Sequence, residues 1–351
     1  GKLRITTSIN TVYELKPYTY QIINNKKIEI PTYYILDGNT VSFKVEKYNK
    51  NYDLIIDPTL VFSTYSGSTS DNWGSSATHD NSGNMFLGGI SLGAFFPTTL
   101  GAFQTVFGGG SGGLTTDIAI TKLNSSGTSR LYSTFLGGSA NELLASLLCT
   151  PNNELIAIVA TGSNNYPTST NAFDKTFNGG IAVNAVEIDF FNGADIAITK
   201  LNTSGSAIVG STYFGGNGND GINGSAATAF NYGDDSRSDV AIDNTGNIYI
   251  TSTTSSNNIP NTSGRAQTAY SGGETDGVLA KFNADLSVLN WASYFGGSSA
   301  DAAYSIGLDK ANNIFICGGT ESNNIPGTSN GLNTTSRGGT TDGFVAKFNN
   351  N

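Results

Sequence analysis

The feature that most constrains this chain is that, from about residue 60 onward, it repeats itself four times. Each repeat opens on a Ser/Thr–aromatic segment running into glycine: Ser63-Thr64-Tyr65-Ser66-Gly67, Ser133-Thr134-Phe135-Leu136-Gly137-Gly138, Ser211-Thr212-Tyr213-Phe214-Gly215-Gly216 and Ala292-Ser293-Tyr294-Phe295-Gly296-Gly297. Each closes on a second signature: Asp117-Ile-Ala-Ile-Thr-Lys122-Leu-Asn124, Asp195-Ile-Ala-Ile-Thr-Lys200-Leu-Asn202, Asp276-Gly-Val-Leu-Ala-Lys281-Phe-Asn283 and Asp342-Gly-Phe-Val-Ala-Lys347-Phe-Asn349. A chain built this way must bury its apolar faces by stacking one unit on the next.

Between the two signatures lie two apolar runs joined by a polar turn, as in His79-Asp80-Asn-Ser-Gly83-Asn84, Ile242-Asp243-Asn-Thr-Gly246-Asn247 and Leu308-Asp309-Lys-Ala-Asn-Asn313, with a weaker copy at Pro151-Asn152-Asn153-Glu154. Asp and Asn close turns onto their own backbone, and Asn or Gly accepts positive φ. An aromatic-or-Ile–Pro pair marks a later loop at Phe96-Pro97, Tyr166-Pro167, Ile259-Pro260 and Ile325-Pro326. Each unit thus holds four short strands, and the closing aspartates stand 66 to 81 residues apart. Solenoid repeats are shorter, at about 20–45 residues. The expected fold is all-β: a β-propeller of four-stranded antiparallel blades, with units at about 60–129, 130–207, 208–288 and 289–351. The closing strand carries apolar residues on both faces, as a sheet sandwiched on two sides requires. Two units are swollen, by Ile181–Gly193 and by Asn217–Asp235; such loops on a rigid scaffold are the expected contact surfaces. Because the chain begins with Gly1 and stops at a repeat edge, it reads as part of a larger propeller and of a longer protein.

Residues 1–59 lack the repeat and carry 8 of the 18 basic residues but 6 of the 27 acidic ones. They read as a small β domain or the end of one, with strands at Lys2–Thr6, Ile28–Ile35 and Thr40–Tyr48 and a turn at Asp37-Gly38-Asn39. The whole chain is at −9, which opposes nucleic acid as a partner. No run is long and apolar enough for membrane insertion. With one His and two Cys, a Cys/His zinc site or a Cys–His dyad is excluded.

Leu54–Gly67, taken with the two signatures, resembles the bacterial β-propeller repeat family called SBBP. It is also similar to large secreted Bacteroidota proteins that place such repeats behind an N-terminal β region. That resemblance implies export through the type IX system, a gliding-motility-associated type of surface protein, and a secreted or cell-surface location with an adhesive or scaffolding role.

Unique chemistry is scarce. His79 shares its repeat position with Cys149, Ile242 and Leu308 and is read as structural; Cys149 and Cys317 are read as buried thiols. The repeated Asp and Lys of the closing strand point to opposite faces: the acid holds the preceding turn and the lysine lays its stem along the blade, charge outward. The Asp80–Asn84 and Asp243–Asn247 turns lack the acid that ends a calcium loop. Asp220, Asp234 and Asp235 form a better oxygen-rich candidate for calcium, while no other cofactor is expected. The expected function is non-enzymatic contact with a protein or glycan on a cell surface. The alternatives are a carbohydrate-active propeller, which needs only two suitably spaced carboxylates, and a passive spacer in a surface filament.

Overall fold

The computed structural model describes residues 3–350 apart from 7–10, 15, 39, 58–61, 111, 232 and 261–264. The chain divides into two compact units, Gly1–Thr64 and Tyr65–Asn351. In the first, β1 (Leu3–Thr6) pairs with β2 (Thr11–Glu14), while β3 (Tyr18–Ile23) lies between β4 (Lys26–Glu29) and a later strand, and β5 (Thr32–Asp37) forms a hairpin with β6 (Thr40–Val45). That later strand, β7 (Ile55–Asp57), completes the three-stranded sheet. The strand expected over Ile28–Ile35 is two strands, because Pro31 can donate no ladder hydrogen bond where the chain turns from β4 to β5. Of the turn expected at 37–39, Asn39 lies outside the described residues.

Among the described residues, the second unit is a β-propeller repeat array of four larger antiparallel sheets and one two-stranded hairpin. The first sheet contains β8 (Asn72–His79), β9 (Met85–Ser91), β10 (Asp117–Leu123) and β11 (Arg130–Leu136). The second contains β12 (Glu142–Cys149) and β13 (Leu155–Thr161), then, after the small hairpin β14 (Val183–Ala185) and β15 (Ile188–Phe190), β16 (Asp195–Leu201) and β17 (Ile208–Phe214). The third contains β18 (Asp239–Ile242), β19 (Ile248–Thr254), β20 (Asp276–Phe282) and β21 (Leu289–Phe295). Among the described residues the fourth has three strands: β22 (Asp301–Leu308), β23 (Ile314–Thr320) and β24 (Asp342–Phe348).

Sheet boundaries run one strand out of step with the units 60–129, 130–207, 208–288 and 289–351. The Ser/Thr–aromatic segment that opens the second, third and fourth sequence units is the last strand of a sheet, not the first, while Ser63–Gly67 of the first unit is in no strand. The reason is local. A tight turn, in which Asn124 N donates to Ser129 O at 2.9 Å, folds β11 straight back onto β10, whereas Gly137-Gly138 carries the chain over to the next sheet.

Every residue of β10, β13, β16 and β19 is buried, as expected for sheets covered on both faces. Burying a side chain such as Ile118, Ile158 or Ile196 contributes about 1.5–3 kcal/mol each. The terminal sheets behave differently: β8 has no buried residue and β24 alternates, with Trp73 40% and Val345 86% exposed.

The closing-strand aspartates hold the preceding loops, as expected: Asp117 accepts from Gly108 N at 2.6 Å, Asp195 from Asn178 N at 2.7 Å and Asp276 from Ser271 N at 2.7 Å. Each also faces a second buried acid on the next sheet or its lead-in: Glu142, Asp220 and Asp301 respectively. A glycine separates them. At Gly296 a methyl group would fall 2.3 Å from Asp276 Oδ1 and 2.9 Å from Asp301 Oδ2. Burial and the facing acid push Asp276 up to about 7 and Asp195 up to about 8, so the native sheets favour the neutral carboxyl.

The lysines correct the outward-charge reading. Lys122 Nζ lies 2.9 Å from Asp80 Oδ2 with both side chains buried, and Lys200, Lys281 and Lys347 reach Glu154, Asp243 and Asp309 in the corresponding turns. The strand's pleat puts Asp and Lys on opposite faces, but the neighbouring hairpin turn brings its own acid to the lysine.

Candidate functional site

The first strands of the sheets stand side by side, β8 against β12, β12 against β18, and β18 against β22. Three of them bulge at matching places, after Gly74, Leu144 and Ala303, which re-aims the next side chain. Aligning the hairpins puts Ser76, Ser146, Asp239 and Ser305 at one equivalent position. Three sheets carry serine there and one carries an acid. Asp239 draws the serines together: Ser146 Oγ donates to Oδ1 at 3.2 Å, Ser305 Oγ to Oδ2 at 2.8 Å and Ile306 N to Oδ2 at 3.1 Å.

The third sheet is also where the inner strand is short, four residues against eight in β12 and β22. The segment after Asp220 takes the place of the missing half and ends in a short 3₁₀ turn at Asp234–Ser236, entered through Gly233 at φ 85°. This loop, the inner strands and the last two strands of the fourth sheet border an open cavity of about 880 Å³, lined among others by Phe230, Asn231, Asp234, Arg237, Asp239, Tyr304 and Asp342. Phe230 is 74% exposed. Asp234 is buried and accepts from Asn231 N at 2.8 Å and from Arg237 Nη1 at 3.0 Å. Arg237, half exposed, lies over the Tyr304 ring at 5.7 Å. The Tyr304 hydroxyl donates to Thr228 O and accepts from Asn223 Nδ2 at 2.9 Å; burial pushes its pKa up to about 12, so it stays a neutral donor.

The second insertion meets the first: Val186 N donates to Asp235 Oδ2 at 3.1 Å. Ile181–Gly193 is not simply a contact loop. Its hairpin turns through Val186 and Glu187 at φ 50° and 65° and buries Ala185, Ile188 and Phe190 in the core, leaving Ile181 and Phe191 exposed. Apolar residues at alternating positions around the turn were the available signal.

Asp220, Asp234 and Asp235 are not brought together as a calcium site. Asp220 is wholly buried at a sheet junction, accepting from Thr254 Oγ1, Ser256 Oγ at 2.8 Å and Gly216 N at 2.8 Å, whereas Asp234 and Asp235 serve Arg237 and Val186. Among the described residues no group of three or more His, Cys, Asp or Glu side chains stands close enough to hold a metal ion. The Asp80 and Asp243 turns close on themselves, each acid accepting from the N–H groups two and four residues on. Cys317 corrects the buried-thiol reading: it is exposed because it lies on the uncovered face of the fourth sheet, while Cys149 is half-buried; both are free. His79 is exposed too, its Nδ1 3.1 Å from Asp80 O. Sequence reading missed Asp239, although comparison of the four inner strands would have singled it out.

The family described as Beta-propeller repeat matches residues 290–326, and one described as a domain of unknown function, DUF7948, matches residues 1–59. No curated protein matches the chain. Among solved structures, a protein of unknown function from Dyadobacter fermentans is 9% identical, with 88% of this chain and 76% of that one covered at a TM-score of 0.35. The phage phi92 endosialidase is 10% identical over 95% of this chain, which spans 47% of the endosialidase, at a TM-score of 0.42. No helix among the described residues is long and apolar enough to cross a membrane.

Proposed function

We propose that this chain is a non-enzymatic β-propeller segment of a longer, secreted or cell-surface protein, and that it binds a glycan or protein in the cavity under the third-sheet insertion. The carrying observation is the cavity itself: about 880 Å³, bordered by the third-sheet insertion and mixing an exposed aromatic with planar polar groups. Phe230 offers a ring face for the apolar side of a sugar or peptide, and Arg237 and Asn231 offer directional hydrogen bonds. The type IX route, the Bacteroidota source and the gliding-motility-type adhesive role rest on the resemblance carried by the repeat signatures.

A hydrolytic reading has one observation in its favour, three carboxylates, Asp234, Asp239 and Asp342, lining the same cavity. Asp234 is, however, occupied by three hydrogen-bond donors, Asp239 by four and Asp342 by two, which suits fixed scaffolding better than proton delivery. The test is a glycan and surface-protein binding array run with the wild type and with Phe230→Ala and Arg237→Ala. Binding lost in both variants at unchanged melting temperature supports the reading. Turnover of a bound glycan, or binding indifferent to both substitutions, overturns it.

A further inference from the structure

The cavity under the third-sheet insertion carries a charge of its own. Among the described residues its lining holds three carboxylates, Asp234, Asp239 and Asp342, and one guanidinium, Arg237, a formal charge of −2 within a chain that is itself at −9. Arg237 does little to offset this field, since its Nη1 is bound to the buried Asp234 Oδ1 at 3.0 Å. A ligand bearing a carboxylate would add like charge here, whereas a basic group would be drawn in.

The three acids are not equally free. Asp234 and Asp239 have both oxygens engaged by donors of this chain, but Asp342 does not. It stands at the repeat position of Asp117, Asp195 and Asp276, which are buried and face a second acid; Asp342 is only half-buried. Among the described residues both of its donors, Ser336 Oγ at 2.6 Å and Arg337 N at 3.0 Å, are on Oδ2, which leaves Oδ1 for a ligand. The Ser336 hydroxyl, with the Arg337 N–H, holds this carboxyl below the usual carboxylate range, so it meets a ligand as an anion. The guanidinium of Arg337 itself turns to Asn333 Oδ1.

Arg237 shows how a guanidinium is held in this cavity, over the Tyr304 ring at 5.7 Å with its Nη1 on an aspartate. An incoming arginine finds the same two kinds of group in Phe230, 74% exposed, and Asp342. Near Tyr304 the wall is bare backbone: a Cβ at Gly319 would stand 3.8 Å from Tyr304 and 3.9 Å from Thr228, so an extended chain can approach there. Resting on the reading of this cavity as the binding site, we infer that its occupant is an extended segment of a partner protein that presents an arginine. Asp342 balances the arginine's charge, Phe230 takes its planar face, and the segment's carbonyl oxygens accept from Arg237 and Asn231. A peptide supplies the cation and the carbonyl acceptors together.

The test titrates the whole chain with fluorescent, end-blocked Gly/Ser peptides that differ in one central residue: arginine, its uncharged isostere citrulline, or glutamate. The arginine peptide should bind saturably and about tenfold more tightly than the citrulline peptide, the glutamate peptide should not bind, and added salt should narrow the gap. Asp342→Asn, which keeps the acceptor for Ser336 and Arg337, should close the gap between arginine and citrulline at unchanged melting temperature. Glu274→Gln, which removes an exposed acid outside the cavity, should leave the gap as it is. Equal binding of arginine and citrulline peptides, a gap that survives Asp342→Asn, or no binding of the arginine peptide would each overturn the inference. Should a neutral glycan bind and be lost in Phe230→Ala and Arg237→Ala while no arginine peptide binds, this inference alone falls and the cavity remains the binding site.

Discussion

The buried acid pairs predict that this protein is most stable on the acid side of neutrality, and Asp276 is the place to test it. Its carboxyl is wholly buried, faces Asp301 across Gly296 and is pushed from 3.8 up to about 7, chiefly by desolvation. A carboxyl whose folded pKa lies above its unfolded pKa binds more protons in the native state between the two values. It therefore stabilises fully below about pH 4, and that stability is lost as pH rises through about 7. About three units at 1.36 kcal/mol per unit set an upper bound of about 4 kcal/mol for this one group. In Asp276→Asn the amide keeps the acceptor for Ser271 N and gains a donor for the unsatisfied Asp301 oxygen. The variant should exceed the wild type by about 1 kcal/mol at pH 4.5 and by about 2–4 kcal/mol at pH 8.5. Denaturant unfolding followed by tryptophan fluorescence at both pH values measures this. A wild-type stability that is flat or rises from pH 5 to 9, or a variant that is weaker at pH 8.5, would refute the reasoning.

Two further outcomes follow from the same packing. Lys122→Met should cost about 3–5 kcal/mol, because it leaves the buried Asp80 carboxylate unpaired, whereas Lys347→Met, whose ammonium is largely exposed, should cost under about 1 kcal/mol by the same melts. In the native state a thiol reagent should label Cys317 at once and Cys149 slowly, since burial also pushes the Cys149 thiol up; equal rates would contradict the uncovered face of the fourth sheet.

What was legible in the sequence was whatever repeats. Asp117, Asp195 and Asp276 recur with apolar pairs on both faces, so strand type, both-face burial and antiparallel blades could be read directly. The phase could not, because a cyclic pattern has no marked beginning; only pairing partners show that Phe135 ends a sheet. Lysine pairing was missed because Lys122 lies on a strand and Asp80 in the turn between two others, and alternation along one strand says nothing about what a neighbouring turn supplies. The site was half legible. The insertion at Asn217–Asp235 was visible as extra length, but its role in lining a cavity depends on the shortened β18. Asp239 was hidden because the eye follows what recurs, and its significance lies in replacing a serine that the other three sheets keep.

The most direct test of the account is proximity between the inner strands. Asp239 touches both Ser146 and Ser305, residues 93 and 66 positions away in the chain. With Cys149 and Cys317 replaced by serine, the pairs Ser146→Cys/Asp239→Cys and Asp239→Cys/Ser305→Cys should each be joined, within a monomer, by a short bis-thiol reagent, while Asp239→Cys alone should not. Rapid linkage of both pairs is the predicted result. Failure of either, with the protein folded, would mean that these strands do not share one wall and that the repeats are stacked in some other way.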